Sequence, residues 1–266
     1  MRVVVLIAAV LGLSLVAVGV GAAQAPPTVT VTVTQSTLTV RATAPLPAGP
    51  TRFEIVKSND GPAEVSIGAL RPGVTLTAFS TALRSSPDAA IEMVHIDGGA
   101  SLSPGQERRV VTMNLRPSST YVAINIAGEN PQITPFSTSD QANGASPPAA
   151  DARVRMIDLR FLGAKTLPRN GVVRFENAGW APHFALAVPL RRNAKQRAIV
   201  RAFRRNAERP LARLVDFSRS LEVQSLITRG AVNYNQVRFP RRGRYVMVCF
   251  FEGHNSQGMY KFVRVR

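Results

Sequence analysis

The feature that most narrows what this chain can fold into is an internal duplication. Phe53-Glu54-Ile55-Val56-Lys57 aligns with Val173-Arg174-Phe175-Glu176-Asn177, and Pro62 then falls opposite Pro182. Leu70 to Arg84 runs beside Leu190 to Arg204, placing Phe79, Leu83 and Arg84 opposite Ile199, Phe203 and Arg204. Thr120-Tyr121-Val122-Ala123-Ile124 corresponds to Arg244-Tyr245-Val246-Met247-Val248, so the offset drifts only from 120 to 124 residues. A period that long marks a repeated domain, not a solenoid of short repeats. At 266 residues the chain has room for two domains, each with its own core.

Within each copy the pattern is one of short strands. Phe184, Leu186 and Val188 alternate with their neighbours, as do Val237 and Phe239, then Tyr245, Met247 and Cys249. Gly, Pro and Asn separate these runs, which suits an antiparallel sandwich. Asn193 to Glu208 instead reads as a basic amphipathic helix with Ile199 and Phe203 one turn apart, ended by Pro210. Ser137 to Asp151 is polar, carries Pro147-Pro148 and has no apolar period, so it reads as a linker. Pro26 to Thr34 alternates Thr and Val, as a leader or a first strand would. Before it, Val3 to Ala23 is an apolar stretch behind Arg2 that ends in small residues. This reads as a secretory signal cleaved after Ala23 or Ala25, or else as an uncleaved N-terminal membrane anchor.

The net charge of +17 is unevenly placed. Residues 1–151 carry nine basic and ten acidic side chains; residues 152–266 carry twenty-four and six. A field concentrated in one half favours an acidic partner protein or an anionic surface. Export and the lack of any nucleic-acid motif argue against nucleic acid.

The charged half also holds the only cysteine, in Cys249-Phe250-Phe251-Glu252-Gly253-His254-Asn255-Ser256-Gln257-Gly258-Met259. In an exported chain an odd cysteine needs a reason. One reading is an inert thiol in a strand core. The other adds His254, Met259 and the upstream His183 to it: a thiolate, two imidazoles and a weak thioether are the donors of a blue-copper electron-transfer centre. Structural zinc competes, but methionine is a poor zinc ligand. His95 stands apart from this set and reads as an ordinary surface or core residue.

On these motifs residues 152–266 resemble the cupredoxins, in particular the azurin, auracyanin and plastocyanin group. The likeness is carried by the strand before Asn177, by Pro182-His183, by Gly243-x-Tyr245-x-x-x-Cys249, and by Gly253-His254 and Gly258-Met259. It implies an all-β fold of two tandem cupredoxin-like Greek-key sandwiches, the second with an inserted basic helix. The divisions are residues 1–25 as signal or anchor, 26–137 as a degenerate first copy, 138–151 as linker and 152–266 as the copper domain. It implies one type-1 copper per chain, with His183, Cys249 and His254 as equatorial ligands and Met259 as the axial one. Phe184 stands where an Asn commonly follows the first histidine, and Glu252 where a Pro is common; both bear on the potential and rigidity of the site. In the first copy the matching residues are Ala63, Asn125, Asn130 and Pro135, so that copy lacks the donors. Tandem cupredoxin-like domains also occur in copper nitrite reductases and two-domain laccases, whose catalytic centres need more histidines than the three present here. The expectation is therefore an exported one-electron carrier and not an enzyme. The alternatives are a copper storage, delivery or sensing protein, and a metal-free interaction module with a vestigial site.

Overall fold

The computed structural model describes residues 24–42, 45–128 and 130–266. The apolar segment expected as signal or anchor lies outside these. Among the described residues no helix is long and apolar enough to cross a membrane.

In the first half the elements are β1 (Thr28–Val33), β2 (Leu38–Arg41), β3 (Leu46–Lys57), β4 (Ala63–Leu70), α1 (Leu76–Ser85), α2 (Pro87–Met93), β5 (Val94–Leu102), β6 (Arg108–Leu115), β7 (Thr120–Asn125) and β8 (Gln132–Ala142). The second half repeats the order: β9 (Ala152–Ile157), β10 (Arg160–Gly163), β11 (Thr166–Leu167), β12 (Asn170–Asn177), β13 (His183–Pro189), α3 (Gln196–Arg204), α4 (Glu208–Leu214), β14 (Leu221–Ile227), β15 (Val232–Arg238), β16 (Gly243–Val248), α5 (His254–Gln257) and β17 (Tyr260–Val265). The pairings repeat too. β1 lies parallel to β3 as β9 does to β12, and β3 meets β8 in parallel as β11 meets β17. Each half is a sandwich because one strand crosses between its two sheets. In the first half that strand is the long β3, bent at Gly49-Pro50; in the second, Pro168 divides it into β11 and β12.

Period-two patterning explains the cores. In β1 Val29, Val31 and Val33 point inward while the threonines alternate outward; in β9 Ala152, Val154 and Met156 do the same between arginines. The sandwich interiors are lined by Phe53, Ile55, Val65, Ile67 and Tyr121 in one half. Phe175, Val223, Phe239, Tyr245 and Met247 line the other. Val246 and Val248, on the opposite face of β16, pack instead under the helices with Ile199 and Phe203.

Three expectations are corrected here. The helical insertion belongs to both copies, since α1 and α2 occupy the place of α3 and α4; Phe79 and Leu83 are buried as Ile199 and Phe203 are. The basic helix is shorter than 193–208. It stops at Arg204, Asn206 turns left-handed at φ 47°, and Pro210 falls in the first turn of α4, where a missing N–H costs nothing. The polar segment is not all linker: β8 continues to Ala142 because Thr138 and Ala142 pair with Leu46 and Ala48.

The halves are joined by hydrogen-bonded strands. β6 pairs antiparallel with β15 through Val111↔Asn235, Thr112↔Tyr234 and Met113↔Asn233, so one sheet runs through both copies. Beside this seam β5 faces β14, and Thr228 donates its N–H to Ile96 O at 3.0 Å. Glu222 accepts from Ser101 N (2.9 Å) and Ser101 Oγ (2.8 Å), while the buried Arg109 donates to Glu222 O at 3.0 Å. Removing this carboxylate leaves Ser101 without its acceptor and Arg109 without a nearby counter-charge. Glu222→Ala should destabilise the protein by about 1.5–3 kcal/mol, the range for hydrogen bonds to a charged group. A urea midpoint shifted down at unchanged slope would show it.

Candidate metal centre

Four segments of the second half converge at one end of its sandwich. β16 and β17 pair antiparallel up to Val248↔Tyr260, and the next rung joins Cys249 N to Met259 O at 3.1 Å. Cys249 continues the inward face of Tyr245 and Met247, as its spacing predicts, and lies in the same core cluster as Met259. His183 opens β13, the strand beside β16. The loop from Phe250 to Gly258 turns back through α5, whose ends are two glycines with positive φ, Gly253 at 77° and Gly258 at 118°. Only glycine adopts such angles freely, and this tight return brings His254 over the strand ends. His254 N donates to Phe251 O at 2.9 Å and Met259 N to His254 O at 2.8 Å.

The result is a compact donor cluster. One ligand atom from each of His183, Cys249 and His254 lies within 4.8 Å of the other two. Cys249 Sγ is 3.6 Å from His254 Nδ1, and the imidazole rings are 5.0 Å apart between centroids. His183, Cys249 and Met259 are fully buried, while His254 keeps 8% of its surface exposed. Both ring nitrogens of His183 are buried without a hydrogen-bond partner. Nε2 has Asp158 Oδ1 at 3.4 Å, beyond a hydrogen bond, but Nδ1 has nothing. An orphaned imidazole nitrogen beside a buried sulfur is costly unless something coordinates it, so the residues fit a metal ion with soft and borderline ligands.

The electrostatics keep the donors neutral when no metal is bound. Burial, and secondarily His254, push the His183 pKa down to about 4, against the pull of Asp158. Burial also lowers His254, again opposed by Asp158. The Cys249 thiol is raised by burial, with the nearby N–H groups of Phe184 and Phe251 acting the other way.

Residues outside the expected set hold the scaffold. Asn177, fully buried, donates to Ala181 O and Ile227 O at 2.9 Å each and accepts from Gly179 N at 3.0 Å. Asp158, after β9, accepts from Trp180 N at 2.9 Å and Ala181 N at 3.2 Å, and its Oδ1 sits 3.4 Å from His183 Nε2. The exposed Trp180 ring is covered by Arg229 at 3.6 Å. Neither scaffold role has a periodic signature, although Asn177 ends a strand just before the Pro-His segment, a position that favours side-chain bonds to the backbone.

In the first half the same end of the sandwich is built from amides. The register places Asn125 where Cys249 stands, since Val65 pairs with Asn125. Asn125 Oδ1 accepts N–H bonds from Glu64 (2.9 Å) and Ala127 (3.4 Å), the counterparts of Phe184 and Phe251. The amide oxygen thus bonds the counterparts of the two N–H groups that lie near the sulfur in the other copy. Asn125 pairs with Gln132 across β7 and β8, and Nδ2 donates to Gln132 Oε1 at 3.0 Å. Gln132, not Pro135, is therefore the counterpart of Met259; Pro135 pairs with Val122 farther along the strand. The correction arises because the first-half loop, 126–131, is shorter than 250–258. Ala63 opens β4 as His183 opens β13. Asn130 lies in the short loop, with no imidazole to offer.

No family model and no curated protein matches this chain. Among solved structures, the chain is similar to auracyanin B at 25% identity, over 45% of this chain and 91% of that one, with a TM-score of 0.30. It is similar to auracyanin A, described as a "blue" copper protein from Chloroflexus aurantiacus, at 17% identity over 43% and 96%, with a TM-score of 0.29. Over 91% of this chain and 93% of the other it is similar to the copper nitrite reductase of Nitrosomonas europaea, at 12% identity and a TM-score of 0.26. The fold is cupredoxin-like in both halves, as the strand pairings above lay out element by element.

A pH dependence follows from His183. Its folded-state pKa, about 4, lies below the ordinary 6.5, so between these values the unfolded chain binds the proton that the folded chain refuses. The contribution to stability is complete above pH 6.5 and is lost as pH falls toward 4. Metal-free protein should show urea midpoints that decline across that window, and His183→Gln should flatten the decline.

Proposed function

We propose that the chain is an exported copper protein that carries single electrons through one type-1 centre in its second half, held by His183, Cys249 and His254 with Met259 as the weak axial donor. The observation that carries this reading is the buried thiol–imidazole–imidazole cluster, with a methionine joined to the cysteine by the adjoining backbone rung. Bound copper would supply a one-electron couple between its two common oxidation states. The chain's own contribution is a donor set matched to both states. The sulfur ligands suit the reduced ion and the imidazoles accept either, so little rearrangement is needed. Burial of three of the four side chains excludes water, and the sheet register fixes Cys249 against Met259 before any ion arrives.

The third histidine supports a carrier over an oxidase or reductase. His95 Nε2 lies 2.6 Å from an Arg116 nitrogen, its Nδ1 is 2.9 Å from Thr228 Oγ1, and Asp97 is 3.3 Å away. Since guanidinium only donates, Nε2 is the acceptor and Nδ1 bears the proton. This imidazole ties the two halves together and has no free nitrogen for a second metal. Copper-loaded protein should be blue or green from thiolate-to-copper charge transfer and bind one equivalent, and Cys249→Ser should lose the colour. Two equivalents, or colour retained in that variant, would sink the assignment.

The partner is an acidic protein or anionic surface met by the basic face of α3. Ile199, Ala202 and Phe203 are buried, while Lys195, Arg197, Arg201, Arg204 and Arg205 stay exposed. Phe203 also touches the ligand loop, 6.2 Å from Phe250 and stacked on Tyr260 at 5.1 Å. Charge on this helix thus lies close to the metal end. The matching helix α1 has a single basic residue in its last turn, Arg84, and no ligand loop to serve. Electrostatic steering fades as the Debye length shrinks to roughly 10 Å at 0.1 M salt. Replacing Arg197, Arg201, Arg204 and Arg205 with Gln should slow electron exchange with an acidic partner at low salt and leave the copper spectrum unchanged. Export of the chain accords with its apolar N-terminal stretch.

A further inference from the structure

We infer that Asp158 is a positioning residue for the metal centre: its carboxylate faces His183 Nε2, leaves Nδ1 as the coordinating atom and sets the balance between the two copper states. This rests on the copper reading above. Asp158 follows β9 in the turn to β10 and approaches the site from a strand other than those that carry the four donors. A single oxygen, Oδ1, lies 2.9 Å from Trp180 N, 3.2 Å from Ala181 N and 3.4 Å from His183 Nε2. One atom therefore braces the loop before His183 and faces its ring. The approach is close enough to demand glycine at 179, where a Cβ would fall 2.6 Å from Asp158 Oδ1 and 2.9 Å from His183 Nε2.

The duplication supplies an internal control. The first-half residue equivalent to Asp158 is Gln35, since Val33 pairs with Lys57 as Met156 pairs with Asn177, and its side chain is exposed. The residue equivalent to His183 there is Ala63. The copy without the imidazole also lacks the carboxylate, although the turn between the strands is kept. That turn is closed by the neighbouring Thr34, whose hydroxyl accepts from Thr37 N at 2.9 Å, so the turn alone does not call for a carboxylate.

The physical consequence is twofold. A carboxylate on the outer nitrogen makes an imidazole more basic and fixes its orientation, and such partners are typically worth 10–100-fold in metal affinity. Its negative charge favours the more positive, oxidised ion. Asn keeps one carbonyl oxygen for Trp180, Ala181 and His183 but removes the charge; Ala removes both.

The test measures three things on wild type, Asp158→Asn and Asp158→Ala: the copper potential by redox titration, copper(II) affinity by competition, and the His183 tautomer in metal-free protein by imidazole nitrogen NMR. In Asp158→Asn the charge-transfer band should persist while the affinity for copper(II) relative to copper(I) falls about tenfold, which for one electron raises the potential by about 59 mV. Asp158→Ala should lose at least tenfold in copper(II) affinity. Metal-free wild type should show the Nε2–H tautomer and the Ala variant a mixture. Wild-type potential and affinity in both variants, or an Nδ1–H tautomer in metal-free wild type, would overturn the proposal. If wild-type protein forms no charge-transfer band, the copper reading fails instead, and the tautomer still decides what Asp158 does. If the Ala variant does not fold, the Asn variant's potential decides alone: a rise supports the proposal and a wild-type value overturns it.

Discussion

Everything at the metal end depends on one backbone rung, the hydrogen bond from Cys249 N to Met259 O. It extends the β16–β17 ladder one step beyond its last regular pair and so fixes both sulfur atoms from the same scaffold. The loop between them has to leave and return within that rung. It does so through a single helical turn closed at each end by a left-handed glycine, and this carries His254 over the strand ends. His183 enters from the neighbouring strand, held by Asn177 and Asp158. The centre is therefore prepared by sheet register and loop closure, with its donors neutral and dry.

The first half shows what the same scaffold does without the chemistry. Asn125 bonds the counterparts of the two N–H groups that lie near the cysteine sulfur in the other copy, and Gln132 faces it as Met259 faces Cys249. Lys57, equivalent to Asn177, likewise bonds Gly61 O and Ser103 O to hold the loop ahead of Ala63. Buried backbone donors must be satisfied whatever the side chain is for. An amide does this as well as a thiol, so the sandwich end survives the loss of its metal donors with its backbone bonding intact.

Much of this was legible in the sequence. Alternation along β16 put Cys249 on the inward face, and the short glycine-flanked loop brought His254 and Met259 back to it. Matched apolar positions exposed the duplication. What escaped detection depended on geometry between distant segments. Asp158 precedes His183 by three strands, β10, β11 and β12, and no spacing rule links them. The counterpart of Met259 was misplaced at Pro135 because a difference in loop length is invisible until strands are paired. The first-copy helices were hidden because Leu76–Met93 lacks the charge contrast that outlines α3. Thr138 to Ala142 looked like linker because its strand character comes from a parallel partner on β3, not from its own polar residues.

The seam between the halves carries a record of another kind. Val111 and Asn235 hold the same place in their respective copies, since they face the matched residues Phe53 and Val173, and they are paired directly with each other. A residue that meets its own counterpart is the mark of an isologous contact, the geometry of a twofold homodimer. The arrangement is that of two like subunits docked edge to edge, here held within one chain. Fusion changes the selection on such a pair. Association no longer depends on concentration, because a tether holds the partners at high effective molarity. One subunit can then abandon its ion and diverge in charge while still serving as the permanent mate of the other.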